Sequence, residues 1–159
     1  MKSNAFNILK EGCSLMEDYW LASGTMLGLY RERDFIEWDT DLDVETTQPV
    51  DVNLFIANGF HLHRIMDSDR VYQHAFIKDD VIFDIYYFYR ENDELINYND
   101  FGVAVQPYDL FFPRGKFEWR GVEWNVPNDI EKYLILRYGE DWKTPKPKVA
   151  WGQQANHLR

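Results

Sequence analysis

The chain is short of cysteine, histidine and positive charge. Its 159 residues include one Cys and 4 His, and 17 Lys and Arg against 27 Asp and Glu. A single cysteine, Cys13, excludes a disulfide framework within the chain and argues against a cysteine-built zinc site. It lies in a helix-like stretch and reads as a buried, inert thiol. The formal net charge of −10 argues against a nucleic-acid-binding surface, because that affinity comes from Lys and Arg neutralising phosphates. Binding a nucleotide through metal ions stays open, since clustered carboxylates suit Mg²⁺. No run of about 18 apolar residues occurs, so no membrane-spanning helix is expected. MKSNAFNILKEG shows no apolar leader, and the expected location is cytoplasmic.

What is present suits a folded enzyme. Hydrophobic residues make up 45% of the chain and aromatic residues 17%, enough for a substantial core. With no internal repeat and no linker, one α/β domain over residues 1–159 is the simplest organisation, with 143–159 as an extended tail. Phe6, Leu9, Cys13 and Met16 recur at helical spacing and predict a helix over 4–19. Ser23-Gly24-Thr25 breaks the short apolar run Trp20–Ala22, and 26–33 reads as helical again. Leu42 and Val44 alternate with Asp41 and Asp43, which predicts a strand over 38–45. A short helix is expected over 50–58, then strands over 60–66, 71–77 and 81–89. The last of these is apolar on both faces, as a covered central strand is. Residues 91–94 read as a polar turn. The segments 117–119 and 122–126 read as a hairpin about Arg120-Gly121. A helix follows from Ile130 to Tyr138, capped by Asn128 or Asp129 and stopped by Gly139.

The chemistry concentrates on aspartates. On a strand, Asp41 and Asp43 share a face with Cα atoms roughly 6.6 to 7 Å apart. Carboxylates so placed can share two Mg²⁺ ions about 3.5–4 Å apart. Asp39 has the same parity, and three like charges on one face repel unless a cation joins them. Asp84 sits inside VIFDIYYFY, where an ionised carboxylate is costly unless paired. Taken singly, a D-x-D is more often a solvated strand face, and a buried Asp is more often satisfied by an amide or an Arg. The combination changes that balance. The Ser23-Gly24-Thr25 turn opens a helix and offers N–H groups and a hydroxyl to a phosphate. An acidic strand and a third acid follow it.

These residues resemble the nucleotidyltransferase (polymerase-beta-like) fold, a mixed central β-sheet flanked by helices. LASGTMLGLYRERDFIEWDTDLDVE resembles the LicD/fukutin-like phosphotransferase family in particular. FDIYYFY resembles its third-acid strand, and FFPRGKFEWRGVEWNVPNDIEKYLILRYGEDWKTPKP its C-terminal stretch. Glu37 stands where the family usually has Pro. The resemblance implies that Asp41, Asp43 and Asp84 are catalytic and ligate Mg²⁺ or Mn²⁺, two ions in all. It implies that Ser23, Gly24, Thr25 and Arg31 meet donor phosphate. Asp39, Trp142 and Lys143 would support the site, with Tyr138 and Gly139 closing over the nucleotide. The implied reaction moves a phospho-alcohol, phosphocholine- or ribitol-phosphate-like, from a CDP-linked donor to a glycan or sugar hydroxyl and releases CMP. The alternative is transfer of a nucleoside monophosphate from an NTP, with pyrophosphate released. A non-enzymatic binding module is a third reading, against which the retained aspartates stand.

Other residues read more plainly. His61, His63 and His74 could form a zinc site, but surface strand histidines are commoner. Phe111, Phe112, Trp119 and Trp124 read as core. Lys143, Lys146 and Lys148 read as a solvated tail.

Overall fold

Two faces of one sheet divide the labour of this protein, one apolar and packed, the other polar and lining a cavity. The structure is a computed structural model that describes residues 3–67 and 70–147. The elements in chain order are α1 (Ala5–Ser14), β1 (Trp20–Leu21), α2 (Ser23–Glu32), β2 (Asp41–Thr46), α3 (Val52–Ala57), β3 (His61–Asp67), β4 (Val71–Lys78), β5 (Val81–Tyr87), β6 (Tyr89–Glu91), β7 (Glu94–Asn99), β8 (Gly102–Pro107), β9 (Gly115–Trp119), β10 (Val122–Val126) and α4 (Ile130–Tyr138). A 3₁₀ turn, Tyr108–Leu110, follows β8. The architecture is mixed α/β, as expected.

The main sheet has the order β1-β2-β5-β4-β3. β2 runs parallel to β5, and the other pairs are antiparallel. β5 is therefore the central strand. Leu42 and Val44 of β2 and Phe83 and Ile85 of β5 are fully buried on one face. Phe55 of α3 stacks on Phe76 of β4, ring centroids 4.5 Å apart. α1 approaches β5 closely: a Cβ on Gly12 would meet the Phe83 ring at 2.6 Å, so this crossing needs glycine. Period-two alternation then sends the remaining side chains of β2 and β5 to the other face. That face carries Asp41, Asp43, Glu45, Asp84 and Tyr86.

Several boundaries differ from those read in the sequence. α1 ends at Ser14 rather than 19, because the chain turns at Leu15 and Asp18 pairs with Arg114. β2 begins at Asp41, so Asp39 lies ahead of the strand and does not share its face. Ser23-Gly24-Thr25 forms the first turn of α2 itself, with Ser23 at φ 46° and its N–H donated to the Tyr133 hydroxyl at 2.9 Å. β7 and β8 form a hairpin where the sequence reading placed no strand beyond the turn at 91–94. The hairpin β9–β10 turns at Arg120 and Gly121, both at positive φ, the geometry a two-residue connection favours. α4 is capped by the Asp129 carboxylate, which accepts from the Lys132 N–H at 3.1 Å, and ends at Gly139. Of the tail, 143–147 has no regular structure, while Lys148 and 149–159 lie outside the described residues.

Candidate metal and phosphate site

Parallel pairing of β2 with β5 sets Asp43 directly beside Asp84, the two being register partners. Asp41 lies one step along the same face. One carboxylate oxygen from each of the three falls within 4.8 Å of the others. Asp84 is fully buried and Asp43 nearly so. Asp84 Oδ1 accepts from Gln73 Nε2 at 2.8 Å, whereas the buried Oδ2 has no hydrogen-bond donor among the described residues. Burial, and then the Asp41 carboxylate beside it, push the Asp84 carboxyl up to about 8. Asp43 is raised well above the usual carboxyl range, by burial first and then by Asp39, Asp41 and Asp84, with the Arg137 guanidinium opposing. Like charges with an orphaned buried oxygen call for a cation. The donors are all carboxylate, without nitrogen or sulfur, which suits a hard divalent ion. The three aspartates thus fit a metal site.

Asp41 and Asp43 open into a cavity of about 770 Å³, whose wall does not include the buried Asp84. Ser23 and Gly24, from the first turn of α2, line it too. Helix N-termini attract anions through their open N–H groups. Here the Asp39 carboxylate packs against this turn: a Cβ on Gly24 would meet Asp39 Oδ2 at 2.3 Å. Gly24 thus leaves the Asp39 carboxylate room to approach this closely. Thr25 sits differently from the expected phosphate contact. It is 1% exposed, and its hydroxyl oxygen accepts the Asp43 N–H at 2.8 Å. It does not line the cavity; it ties α2 to the strand bearing the aspartates. Arg31 does line it, with its guanidinium donating to Glu32 and, at 3.2 Å, to the Trp142 carbonyl. Trp142 is buried against Tyr30 and also faces the cavity. Lys143 is exposed and lies over the Trp142 ring, off the cavity wall, which Lys146 joins instead.

Three further side chains, Glu45, Arg137 and Tyr86, belong to the site. Glu45 continues the parity of Asp41 and Asp43. It is 3% exposed and accepts from Trp20 Nε1 at 2.8 Å and Gln106 Nε2 at 3.1 Å. Burial raises its carboxyl above the usual range. Arg137 of α4 is a buried cation on the cavity wall whose charge reaches both Asp43 and Glu45. Tyr86 follows Asp84 at strand parity, and burial with the neighbouring aspartates keeps its hydroxyl protonated. Parity signalled Glu45 and Tyr86. Nothing local signalled Arg137, which reads as an ordinary helix residue.

The histidines do not assemble. His61 and His63 are exposed on β3, and a bulge separates Leu62 from Arg64. His74 Nδ1 is 2.6 Å from the Tyr87 hydroxyl. Among the described residues, the three aspartates form the metal-capable cluster. Trp119 and Trp124 are core, as expected.

The chain is similar to known proteins over most of its length. A family model described as LicD/FKTN/FKRP, nucleotidyltransferase domain, matches residues 17–129, from ahead of α2 to the cap of α4. "Ribitol-5-phosphate transferase FKTN" of Mus musculus is 29% identical over 142 residues, covering 84% of this chain and 31% of that protein. The Homo sapiens protein of the same name is 28% identical over 142 residues, with the same coverage of 84% and 31%. The chain thus spans about a third of the length of these curated relatives.

Proposed function

This chain belongs to the LicD/FKTN/FKRP nucleotidyltransferase-domain family, and from that premise we propose that it transfers a phospho-alcohol from a CDP-linked donor to a glycan or sugar hydroxyl, releasing CMP. The observation that carries this reading is the cluster of Asp41, Asp43 and Asp84, of which Asp41 and Asp43 line one cavity with the first turn of α2. A ribitol-phosphate-like group is the favoured cargo, in line with the name of these relatives; phosphocholine is the other candidate.

Asp41, Asp43 and Asp84 would hold Mg²⁺ or Mn²⁺, two ions on this reading. Bound there, the metal supplies positive charge that neutralises phosphate oxygens and aligns nucleophile with leaving group. The chain's own groups do the rest. The first turn of α2 receives a donor phosphate through the Gly24 N–H and the Ser23 hydroxyl, and Arg31 adds a guanidinium on the same wall. Trp38 and Trp142, both on the cavity wall, offer aromatic surface to the nucleoside. The acceptor oxygen forms a bond to the distal phosphorus as the bond from that phosphorus to the CMP oxygen breaks. CMP leaves with that electron pair, and the Asp84 carboxylate takes the hydroxyl proton before passing it to solvent.

Thermal-shift titration tests this directly. With Mg²⁺ present, CDP-ribitol or CDP-choline raises the melting temperature in a concentration-dependent way, more than ATP or CTP does. Stabilisation by an NTP alone, with pyrophosphate released on turnover, would replace this reading with nucleoside monophosphate transfer.

A further inference from the structure

Among the described residues, the cations on the cavity wall are Arg31, Arg64, Arg137 and Lys146. Arg31 is held by Glu32 and the Trp142 carbonyl, Lys146 is paired with Asp141 at 2.6 Å, and Arg137 is buried. Arg64 differs from them. It is exposed, and among the described residues its guanidinium makes no hydrogen bond or ion pair. We propose that Arg64 is a further catalytic residue, whose guanidinium contacts the oxygens of the transferred phosphoryl group. The assignment rests on the transfer reaction proposed above.

Strand register places it. Asp43 of β2 pairs with Asp84 of β5, Asp84 with Ala75 of β4, and Ala75 with Arg64 of β3. Side chains in register across a sheet share a face. Asp43, Asp84, Ala75 and Arg64 therefore form one row across four strands, and Asp43 and Arg64 both line the cavity. Neighbouring strands lie about 4.8 Å apart, which sets the Asp84 and Arg64 Cα atoms roughly 10 Å apart. Ala75, fully buried, fills the position between them with a single methyl. That leaves the long Arg64 side chain room to lie back over it. Burial and Asp41 raise the Asp84 carboxyl, and the Arg64 charge opposes them.

A bulge puts Arg64 in that row. Leu62 pairs with Phe76, so uninterrupted pairing would set His63 opposite Ala75. The register shifts between Leu62 and Arg64 instead, and Arg64 takes that place. Bulges beside active sites re-aim side chains in this way. A charge that only discouraged the edge strand from pairing with another chain could sit at any exposed position of β3. The shift brings this one to the face that carries the aspartates.

The chemistry calls for a cation there. In phosphoryl transfer, negative charge spreads over the equatorial oxygens of the moving group, and a guanidinium matches such oxygens in shape and charge. The first turn of α2 is tied to β2, through the Thr25 hydroxyl and the Asp43 N–H. Arg64 stands at the other end of the row. The phosphoryl group over the aspartates is then met from both sides. Arg64 exchanges no proton and remains a cation throughout.

The test is isothermal titration calorimetry with Mg²⁺, using CDP-ribitol, CDP and CMP as separate probes. The proteins are the wild type, Arg64→Gln, and the exchange variant that joins His63→Arg to Arg64→His. The exchange keeps the composition and moves the guanidinium off the row. CDP-ribitol and CDP carry the distal phosphorus, and CMP does not. Both variants weaken CDP-ribitol and CDP binding about ten-fold. Both leave CMP binding and the melting temperature of the free protein unchanged. Equal weakening of all three probes overturns the proposal and makes Arg64 a support of the metal site. Weakening of none overturns it too and makes Arg64 an edge charge only. Wild-type protein that does not bind CDP-ribitol removes the transfer reaction and the proposal with it. Wild-type binding of CDP-ribitol that both variants leave intact removes the proposal alone.

Discussion

Asp43 on β2 and Asp84 on β5 are register partners on adjacent parallel strands, and both carboxyls are raised by burial and by their neighbours' charge. Two buried carboxylates side by side weaken the sheet that holds them unless a proton or a cation intervenes. Asp84→Asn therefore stabilises the metal-free protein, by about 2 kcal/mol, and abolishes the stabilisation that Mg²⁺ or Mn²⁺ gives to the wild type. Urea denaturation in EDTA and in Mg²⁺ checks both halves.

The same pair gives the metal-free protein a defined pH response. The unfolded chain releases its carboxyl protons near pH 4, whereas folded Asp84 holds its proton up to about 8. Between those values the folded state binds more protons, so its stability falls as pH rises. The melting temperature in EDTA declines from pH 5 to pH 8, and Asp84→Asn flattens the decline. A rise over that range would contradict the burial argument.

Gly24 answers to Asp39. A Gly→Ala change in a helix ordinarily gains about 0.5–1 kcal/mol, but a Cβ here would meet Asp39 Oδ2 at 2.3 Å. Gly24→Ala forfeits that gain and weakens donor binding, and adding Asp39→Ala restores the lost stability. Additive effects in the double-mutant cycle would separate the two residues.

Glu45 is held by two buried donors, Trp20 Nε1 and Gln106 Nε2. Glu45→Leu leaves both without an acceptor and costs about 2–3 kcal/mol. Glu45→Gln, which keeps an amide oxygen there, costs less. Equilibrium unfolding of the two variants measures the difference.

The aspartates were legible because each broke a local rule: two acids alternate with apolar residues on one strand, and a third interrupts an apolar run. β2, β5, the Arg120-Gly121 hairpin and α4 with its Asp129 cap were legible from alternation and capping. The β7–β8 hairpin was not, because Asn97, Asn99 and Gln106 are buried there and polar inward positions erase the strand pattern. Arg137 was invisible for the opposite reason: a helical arginine usually faces solvent, and only packing of α4 turns this one toward Asp43. A hydroxyl beside glycine suits a phosphate contact, but only the fold shows that the Thr25 hydroxyl oxygen accepts the Asp43 N–H.

The account stands most directly on the release of CMP. Purified protein is incubated with CDP-ribitol and Mg²⁺, with methyl hexosides, methyl N-acetylhexosaminides and pentitols as acceptors, and CMP is quantified for the wild type, for Asp41→Asn, and for the wild type in EDTA. The account predicts CMP from the wild type, and a fall of at least about 10²-fold both in Asp41→Asn and on chelation. CMP release undiminished in Asp41→Asn or in EDTA, or pyrophosphate from an NTP with no CMP from the CDP-alcohol, would contradict it.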